Sequence, residues 1–125
     1  MKFIVFRTKN NQFAVNANDI EMIVPKKNIL VRKYEVSKNS YGFIINPDYI
    51  LVADIDKILS NIKNEAPGDG VVLKCNRKLV ILTEAILGVI DTEEITKKER
   101  FFTGYIKMNE ILYPVLNPYE IEKEI

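Results

Sequence analysis

The sequence predicts an all-β fold with short helices, in which two pseudo-repeated five-stranded barrels pack around a shared core. Three observations indicate this fold: apolar runs are short and recur along the chain, polar turns separate them, and no segment has the pattern of a long amphipathic helix. Short strands at this spacing are typical of small closed barrels rather than of an open sheet. Because 47% of the 125 residues are apolar, the chain can bury such a core.

The clearest sign of a repeat is one stretch that occurs twice. Residues 42–59 and 104–121 both read as a short apolar run, a polar turn, a longer apolar run and the start of a helix. Asn46-Pro47-Asp48 and Asn109-Glu110 supply the turns, because these residue types are favoured where a strand folds back. Finding the same unit twice predicts two similar subdomains.

Each copy of this stretch is predicted to end at a helix cap. Asp54 can accept hydrogen bonds from the free amides of a helical turn over residues 55–59, and Asn117 can do the same for the turn after it. Pro118 suits the first helical position because it has no amide to leave unpaired. Glu120 is placed to reach back to the cap in a capping box.

The remaining segments extend the repeat over most of the chain. Each half is predicted to begin with a hairpin and a short helix: strands 3–6 and 12–16 with a helix over 19–24 capped by Asn18, and strands 71–75 and 78–82 with a helix over 84–87 capped by Thr83 and ended by Gly88. An extra strand is predicted over 29–36. The two halves then cover about 1–59 and 71–121 of a single domain, and the polar segment 60–70 is the hinge between them.

The composition excludes several classes of function. A formal net charge of +1 gives no strong field for attracting nucleic acid or membrane phosphates. Histidine is absent and Cys75 is the single cysteine, so we expect no metal, no cofactor and no catalytic residue. A single cysteine cannot form an internal disulfide, so we expect a cytoplasmic chain. No apolar run approaches the roughly 18 residues that cross a bilayer, so we expect no direct membrane insertion.

Two groups could suggest catalysis, and both have a simpler interpretation. Asp54 and Asp56 could form a carboxylate pair for acid–base chemistry, but on a capped helical turn a structural role is favoured. Cys75 has no histidine to act as its base, so a position as a small core residue at the end of an apolar strand is predicted.

Two further clusters could bind a partner. Arg32 and Lys33 lie near tyrosines in a predicted strand, and small barrels can bind single-stranded nucleic acid with cations and aromatic rings. We keep a nucleic-acid-binding barrel as the alternative function, although a solvated edge strand protected by basic residues is favoured. Phe101, Phe102 and Tyr105 could anchor a partner, but we expect at least two of the three to fill the core.

The order and spacing of these apolar patterns resemble the CheW-like domain, the adaptor domain of bacterial chemotaxis. The resemblance covers nearly the whole chain and is carried by the strands 3–6 and 13–15, by Gly42, by the segments 52–55 and 87–89, and above all by residues 103–117. It implies two SH3-like barrels around a shared core, and an adaptor without catalysis. The implied partners are the regulatory domain of a CheA-type histidine kinase and the cytoplasmic tip of a chemoreceptor.

The resemblance also implies a partner-binding surface. By position, a receptor-facing groove between the barrels would be lined by side chains of the first short helix and by residues leading into the following turn; these are Ile20, Met22, Ile23, Gly42, Phe43, Ile44, Asn46 and Asp48. Contacts with the kinase would come from exposed strand edges and turns.

The chain departs from the family pattern at one turn. The family usually has Asn-Leu-Arg-Gly there, whereas this chain has Ile45-Asn46-Pro47-Asp48 and therefore lacks the arginine. Asp48 would reverse the sign of the charge that such an arginine offers to a partner. This departure indicates a divergent or specialised adaptor.

Overall fold

The computed structural model describes residues 1–45, 48–63 and 68–125 of the chain. The fold is mainly β, as predicted, with two short α-helices. The strands in chain order are β1 (Lys2–Arg7), β2 (Gln12–Asn16), β3 (Ile20–Val24), β4 (Leu30–Ser37), β5 (Ser40–Ile45), β6 (Asp48–Ala53), β7 (Asp69–Leu73), β8 (Leu79–Thr83), β9 (Ala85–Asp91), β10 (Ile95–Thr96), β11 (Phe102–Met108) and β12 (Ile111–Leu116). Helix α1 (Ile55–Ser60) follows β6, and helix α2 (Pro118–Glu122) follows β12.

The strands form two six-stranded sheets with the same internal order. The first sheet has the order β10-β11-β12-β2-β1-β9, and the second has the order β4-β5-β6-β8-β7-β3. The two orders coincide when β1 to β6 are matched with β7 to β12. In both sheets the single parallel contact is made by the strand that precedes the α-helix, β12 with β2 and β6 with β8.

The matched strands are not confined to one sheet. The hairpin β1–β2 lies in the sheet that contains β9 to β12, whereas the hairpin β7–β8 lies in the sheet that contains β3 to β6. Each half of the chain therefore contributes its first hairpin to the sheet formed mainly by the other half. The single domain with halves at about 1–59 and 71–121 stays a prediction, as does the hinge 60–70, part of which lies outside the described residues.

The core consists of three apolar clusters. One cluster lies within the first sheet and contains Phe3 and Val5, another lies within the second sheet and contains Val72 and Val80, and the largest joins residues of both sheets. We call β1–β2 and β7–β8 the crossing hairpins, since each lies in the sheet formed mainly by the other half. Because successive side chains of a strand point to opposite faces, each crossing hairpin supplies residues to the cluster of its own sheet and to the shared cluster. The shared core that the fold class predicted is thereby confirmed.

The turns and caps follow the sequence in most places. Asn109 and Glu110 form a two-residue turn with φ of 51° and 67°, the left-handed geometry of tight hairpins. The Asp54 side chain accepts from the amide of Lys57 at 3.1 Å, and the Asn117 side chain accepts from the amide of Tyr119 at 3.2 Å. Asn46 and Pro47, in the other predicted turn, lie outside the described residues.

The predicted capping box is wrong. The amide of Asn117 donates to the carbonyl oxygen of Phe101, so it has no need of Glu120. Glu120 instead accepts a hydrogen bond from Lys123 at 2.9 Å.

Both short helices predicted after the first hairpins are also wrong. Residues 20–24 form β3, preceded by a 3₁₀ turn over Ala17–Asp19 that Asn16 rather than Asn18 caps, and the segment predicted as helix 84–87 begins β9. Gly88 is not in the left-handed region but in mid-strand, opposite Val5. With β3, β9 and the short β10, which the sequence did not predict either, each sheet has six strands where five were predicted. In the described residues no helix is long and apolar enough to cross a membrane.

Candidate partner-binding surface

The first group of predicted surface residues lies on strand β3, at one edge of the second sheet. β3 pairs with β7, and Ile20, Met22 and Ile23 lie opposite Leu73, Val72 and Val71, with a register shift between Ile20 and Met22. Apolar residues three apart fit a helix, but a strand with a bulge reproduces the same spacing. The β-branched residues then favour the strand, since a partner strand is available to pair with them.

Met22 is the exposed member of this group. Its side chain is 47% exposed, whereas Ile20 and Ile23 are partly buried against the shared core. A flexible, polarisable methionine at the surface suits an adaptable protein contact. Next to it, Glu21 forms an ion pair with Lys78 at 3.1 Å. Burial raises the pKa of Asp19 just before the strand, Lys74 opposes that rise and Glu94 adds to it.

The second group of predicted surface residues lies towards the opposite edge of the same sheet. Gly42, Phe43 and Ile44 are on β5, opposite Leu51, Ile50 and Tyr49 of β6. In the strand order, β7, β8 and β6 separate β5 from β3, so the ladder of strands does not bring the two groups together. Asp48 is the first residue of β6, opposite Ile45, and Asn46 lies outside the described residues.

Sequence reasoning missed a further set of exposed apolar residues on the first sheet. Ile86 and Val89 are 46% and 58% exposed on β9, and Ile111 and Leu112 are 52% and 56% exposed at the start of β12. β9 occupies the position in its sheet that β3 occupies in the other. The signal was present as an apolar run through residues 85–90, but interpreting that run as a helix obscured which side chains face outward.

The aromatic cluster belongs largely to the core, as expected. Phe101 and Phe102 pack against the shared cluster, and the guanidinium of Arg100 lies 4.7 Å from the centre of the Phe101 ring. The hydroxyl of Tyr105 donates to Glu99 at 3.0 Å. These aromatic side chains are thus engaged in contacts within the protein, so they are poorly placed to anchor a partner.

The carboxylates of the first helix face protein rather than a cleft. Asp56 is completely buried and accepts hydrogen bonds from the Thr8 hydroxyl at 2.6 Å and the Asn11 side-chain amide at 2.7 Å. Asp54 caps the helix. Among the described residues no group of three or more cysteine, aspartate or glutamate side chains could hold a metal ion.

Cys75 lies in the turn after β7 rather than in the strand itself. Its thiol donates to the carbonyl oxygen of Arg77 at 2.9 Å. Burial, followed by the negative charge of Glu122, raises the pKa of the thiol from 9.0 to about 11. A raised thiol pKa lowers the fraction of reactive thiolate at neutral pH, so the group is unsuited to nucleophilic chemistry.

The Cys75 thiol should therefore react slowly in the folded protein. At pH 8 we expect alkylation by iodoacetamide to be about a hundredfold slower in the folded than in the urea-unfolded chain, because a pKa two units higher reduces the thiolate by that factor. The rate of loss of free thiol measures the effect. Equal rates in the two states would contradict this description of the turn.

Comparison with known proteins supports the fold. No protein-family model matches the chain, and a search of curated proteins finds no similar sequence. A solved structure does match: the scaffolding protein TtCheW from Thermoanaerobacter tengcongensis, with a TM-score of 0.77 and 16% identity, over 96% of this chain and 90% of that one. At this identity the likeness is one of fold, and the chain has a CheW-like fold.

Proposed function

We propose that this chain, with its CheW-like fold, is a non-enzymatic scaffold that couples chemoreceptors to a CheA-type histidine kinase in bacterial chemotaxis signalling. The observation that carries the proposal is the match to a scaffolding protein over 96% of the chain at a TM-score of 0.77. An adaptor of this kind works in the cytoplasm, where the receptor tip and the kinase regulatory domain would both be reached.

The surface we propose for the receptor includes the β3 group, Ile20, Met22 and Ile23. Met22 supports this choice because it is exposed beside partly buried isoleucines, so a receptor helix could bury it without disturbing the core. We propose that Gly42, Phe43, Ile44, Asn46 and Asp48 supply a second receptor contact, distinct from the β3 group because β7, β8 and β6 stand between β3 and β5 in the strand order. The aspartate that stands near the family's arginine position would change the charge offered to the partner, consistent with a specialised adaptor.

The alternative, a nucleic-acid-binding barrel, gains no support. Arg32 and Lys33 lie on β4 at the edge of the second sheet. The net charge of +1 leaves no strong attraction for phosphates. The adaptor is therefore the function we propose.

Met22→Glu tests the proposed receptor surface. We expect the parent chain to bind a chemoreceptor tip fragment in a calorimetric titration, and the variant to bind at least about tenfold more weakly, because a charge replaces an apolar side chain in the contact. Binding of the parent should depend only weakly on salt. The matched control is Ile62→Glu, which places the same charge at another exposed apolar residue, 52% exposed, outside the proposed surface.

Three results are informative in this experiment. Loss of receptor binding with Met22→Glu but not with Ile62→Glu supports the surface. Equal losses in the two variants would contradict the surface while leaving the adaptor proposal intact. Failure of the parent chain to bind both the receptor tip and a CheA regulatory domain would contradict the adaptor proposal itself.

A further inference from the structure

Each crossing hairpin belongs to a different sheet from the strand that leads into the helix of its own half. Hairpin β1–β2 belongs to the first sheet, whereas the helix that ends the same half, α1, follows β6 of the second sheet. Hairpin β7–β8 belongs to the second sheet, and α2 follows β12 of the first. Any side chain that joins a hairpin turn to the helix of its own half therefore also joins the two sheets.

The first such side chain is Asp56 of α1. Its carboxylate accepts from the Thr8 hydroxyl at 2.6 Å, from the Asn11 side-chain amide at 2.7 Å and from the backbone amide of Asn10 at 3.3 Å, all within the β1–β2 turn. The Asn11 side chain continues to Ser60 of the same helix at 2.9 Å. Asp56 is completely buried, so losing an acceptor there would leave donors without water to replace it.

The second is Glu122 of α2, which contacts the β7–β8 turn. Its carboxylate accepts from the backbone amide of Arg77 at 2.7 Å. Burial would raise the pKa of Glu122, but hydrogen bonds from Arg77 and Asn76 outweigh it and hold the pKa below its ordinary value. A carboxylate whose charged form is preferred in this way is stabilised by the turn that it contacts.

The two helices present these carboxylates in a comparable way. Asp56 is the second residue of α1 and Glu122 the fifth of α2, and residues three apart lie on the same face of a helix. The residue types and exact positions differ, and the turns differ in length, with Thr8–Asn11 in one and Lys74–Lys78 in the other. The shared feature is an acidic helical side chain bound to backbone and side-chain donors of a turn from the other sheet.

We propose that Asp56 and Glu122 are a pair of carboxylate latches, each of which holds the crossing hairpin of its half onto the helix of that half and so fixes the two sheets relative to each other. Opening one latch releases one turn locally while the rest of the fold stays closed. The buried Asp56 latch contributes more than the Glu122 latch, which lies at the surface and makes its strongest contact with one backbone amide.

Residue-resolved hydrogen exchange on the full chain tests the proposal. In Asp56→Asn, which keeps the shape but replaces an acceptor by a donor, the amides of Thr8, Asn10 and Asn11 should exchange about tenfold faster relative to those of β11 and β12, the effect of an unsatisfied buried group. In Glu122→Gln the amide of Arg77 should also exchange faster relative to the amides of β11 and β12, but by a smaller factor. The matched control is Glu120→Gln on the same helix, whose carboxylate bonds Lys123 and no turn.

Thr8→Val removes the shortest hydrogen bond of the Asp56 latch by changing the turn instead of the helix. It replaces Asp56→Asn in the experiment if that variant does not fold. Faster amide exchange confined to the turn that the altered side chain contacts supports the proposal. Unchanged exchange in both turns, or an increase spread evenly over the chain, would overturn it. An equal increase in Glu120→Gln would overturn it as well.

Discussion

Phe13→Ala is expected to lower the free energy of unfolding by about 3–5 kcal/mol, because it removes an aromatic ring from the centre of the shared core. Phe13 is 1% exposed on β2 and lies in the cluster that joins both sheets. Its ring centre is 6.3 Å from that of Phe6, with a tilt of 42° between the ring planes, so the substitution also removes an aromatic contact. The melting temperature should fall by on the order of 10 °C or more.

Urea and thermal unfolding followed by circular dichroism measure this effect. Phe13→Leu is the control, because it keeps most of the apolar volume and is expected to cost less than about half as much. A loss from Phe13→Ala no larger than that from Phe13→Leu would mean that the two sheets do not depend on a common core.

Gly104→Ala is expected to destabilise the edge of the first sheet by about 1–3 kcal/mol, as an overpacked site does. Gly104 is buried in β11, and a Cβ there would collide with the carbonyl oxygen of Ile95 and lie 2.6 Å from Glu94 Oε2. The Ile95 oxygen is backbone in β10, which pairs with β11 at this point, so it cannot move without loss of the pairing. The hydrogen bond from the Thr103 hydroxyl to Glu94, at 2.7 Å, would be disturbed as well.

Gly88→Ala provides the comparison, since the nearest atom to an added Cβ is Met108 Sδ at 2.8 Å. A methionine side chain can change rotamer, so this substitution should cost less. Thermal unfolding compares the stability of the two variants, and hydrogen exchange at Ile95 and Thr96 reports on β10. If Gly88→Ala costs as much as Gly104→Ala, the close approach of β10 does not explain the glycine.

Local features of this fold could be predicted because they depend on adjacent residues. Asn109 and Glu110 favour a tight turn whatever surrounds them, and Asp54 and Asn117 can cap a helix with their own side chains. The two-sided burial of the first hairpin also follows from its apolar content. These elements require no knowledge of the distant parts of the chain.

The elements that could not be predicted depend on distant partners. β3 pairs with β7 and β9 pairs with β1, so the choice of strand over helix in both segments is made by residues far along the chain. The sequence also does not show that each half places its first hairpin in the sheet of the other half. The apolar pattern of β1–β2 fits a buried position in either sheet. Such tertiary contacts routinely override local propensity.

The residues of the candidate site stay a prediction, and their arrangement also depends on distant contacts. The sequence names Met22 as a candidate surface residue, but neither its exposure nor its placement on an edge strand follows from the local pattern. The separation of β3 from β5 across the sheet depends on strand order, which no local pattern encodes. The exposed residues of β9 were missed because the outward face of a segment cannot be assigned before its type of structure is known.

The exchange of hairpins has a consequence for how the chain folds as it is synthesised. A ribosome that has released the first half has supplied β1 and β2 but none of β9 to β12, so the first sheet must wait for nearly the last residues. The second sheet is contiguous in sequence, from β3 to β8, and is complete much earlier. We therefore expect the amino-terminal hairpin to remain without its final neighbours until late in synthesis, while the middle of the chain assembles first.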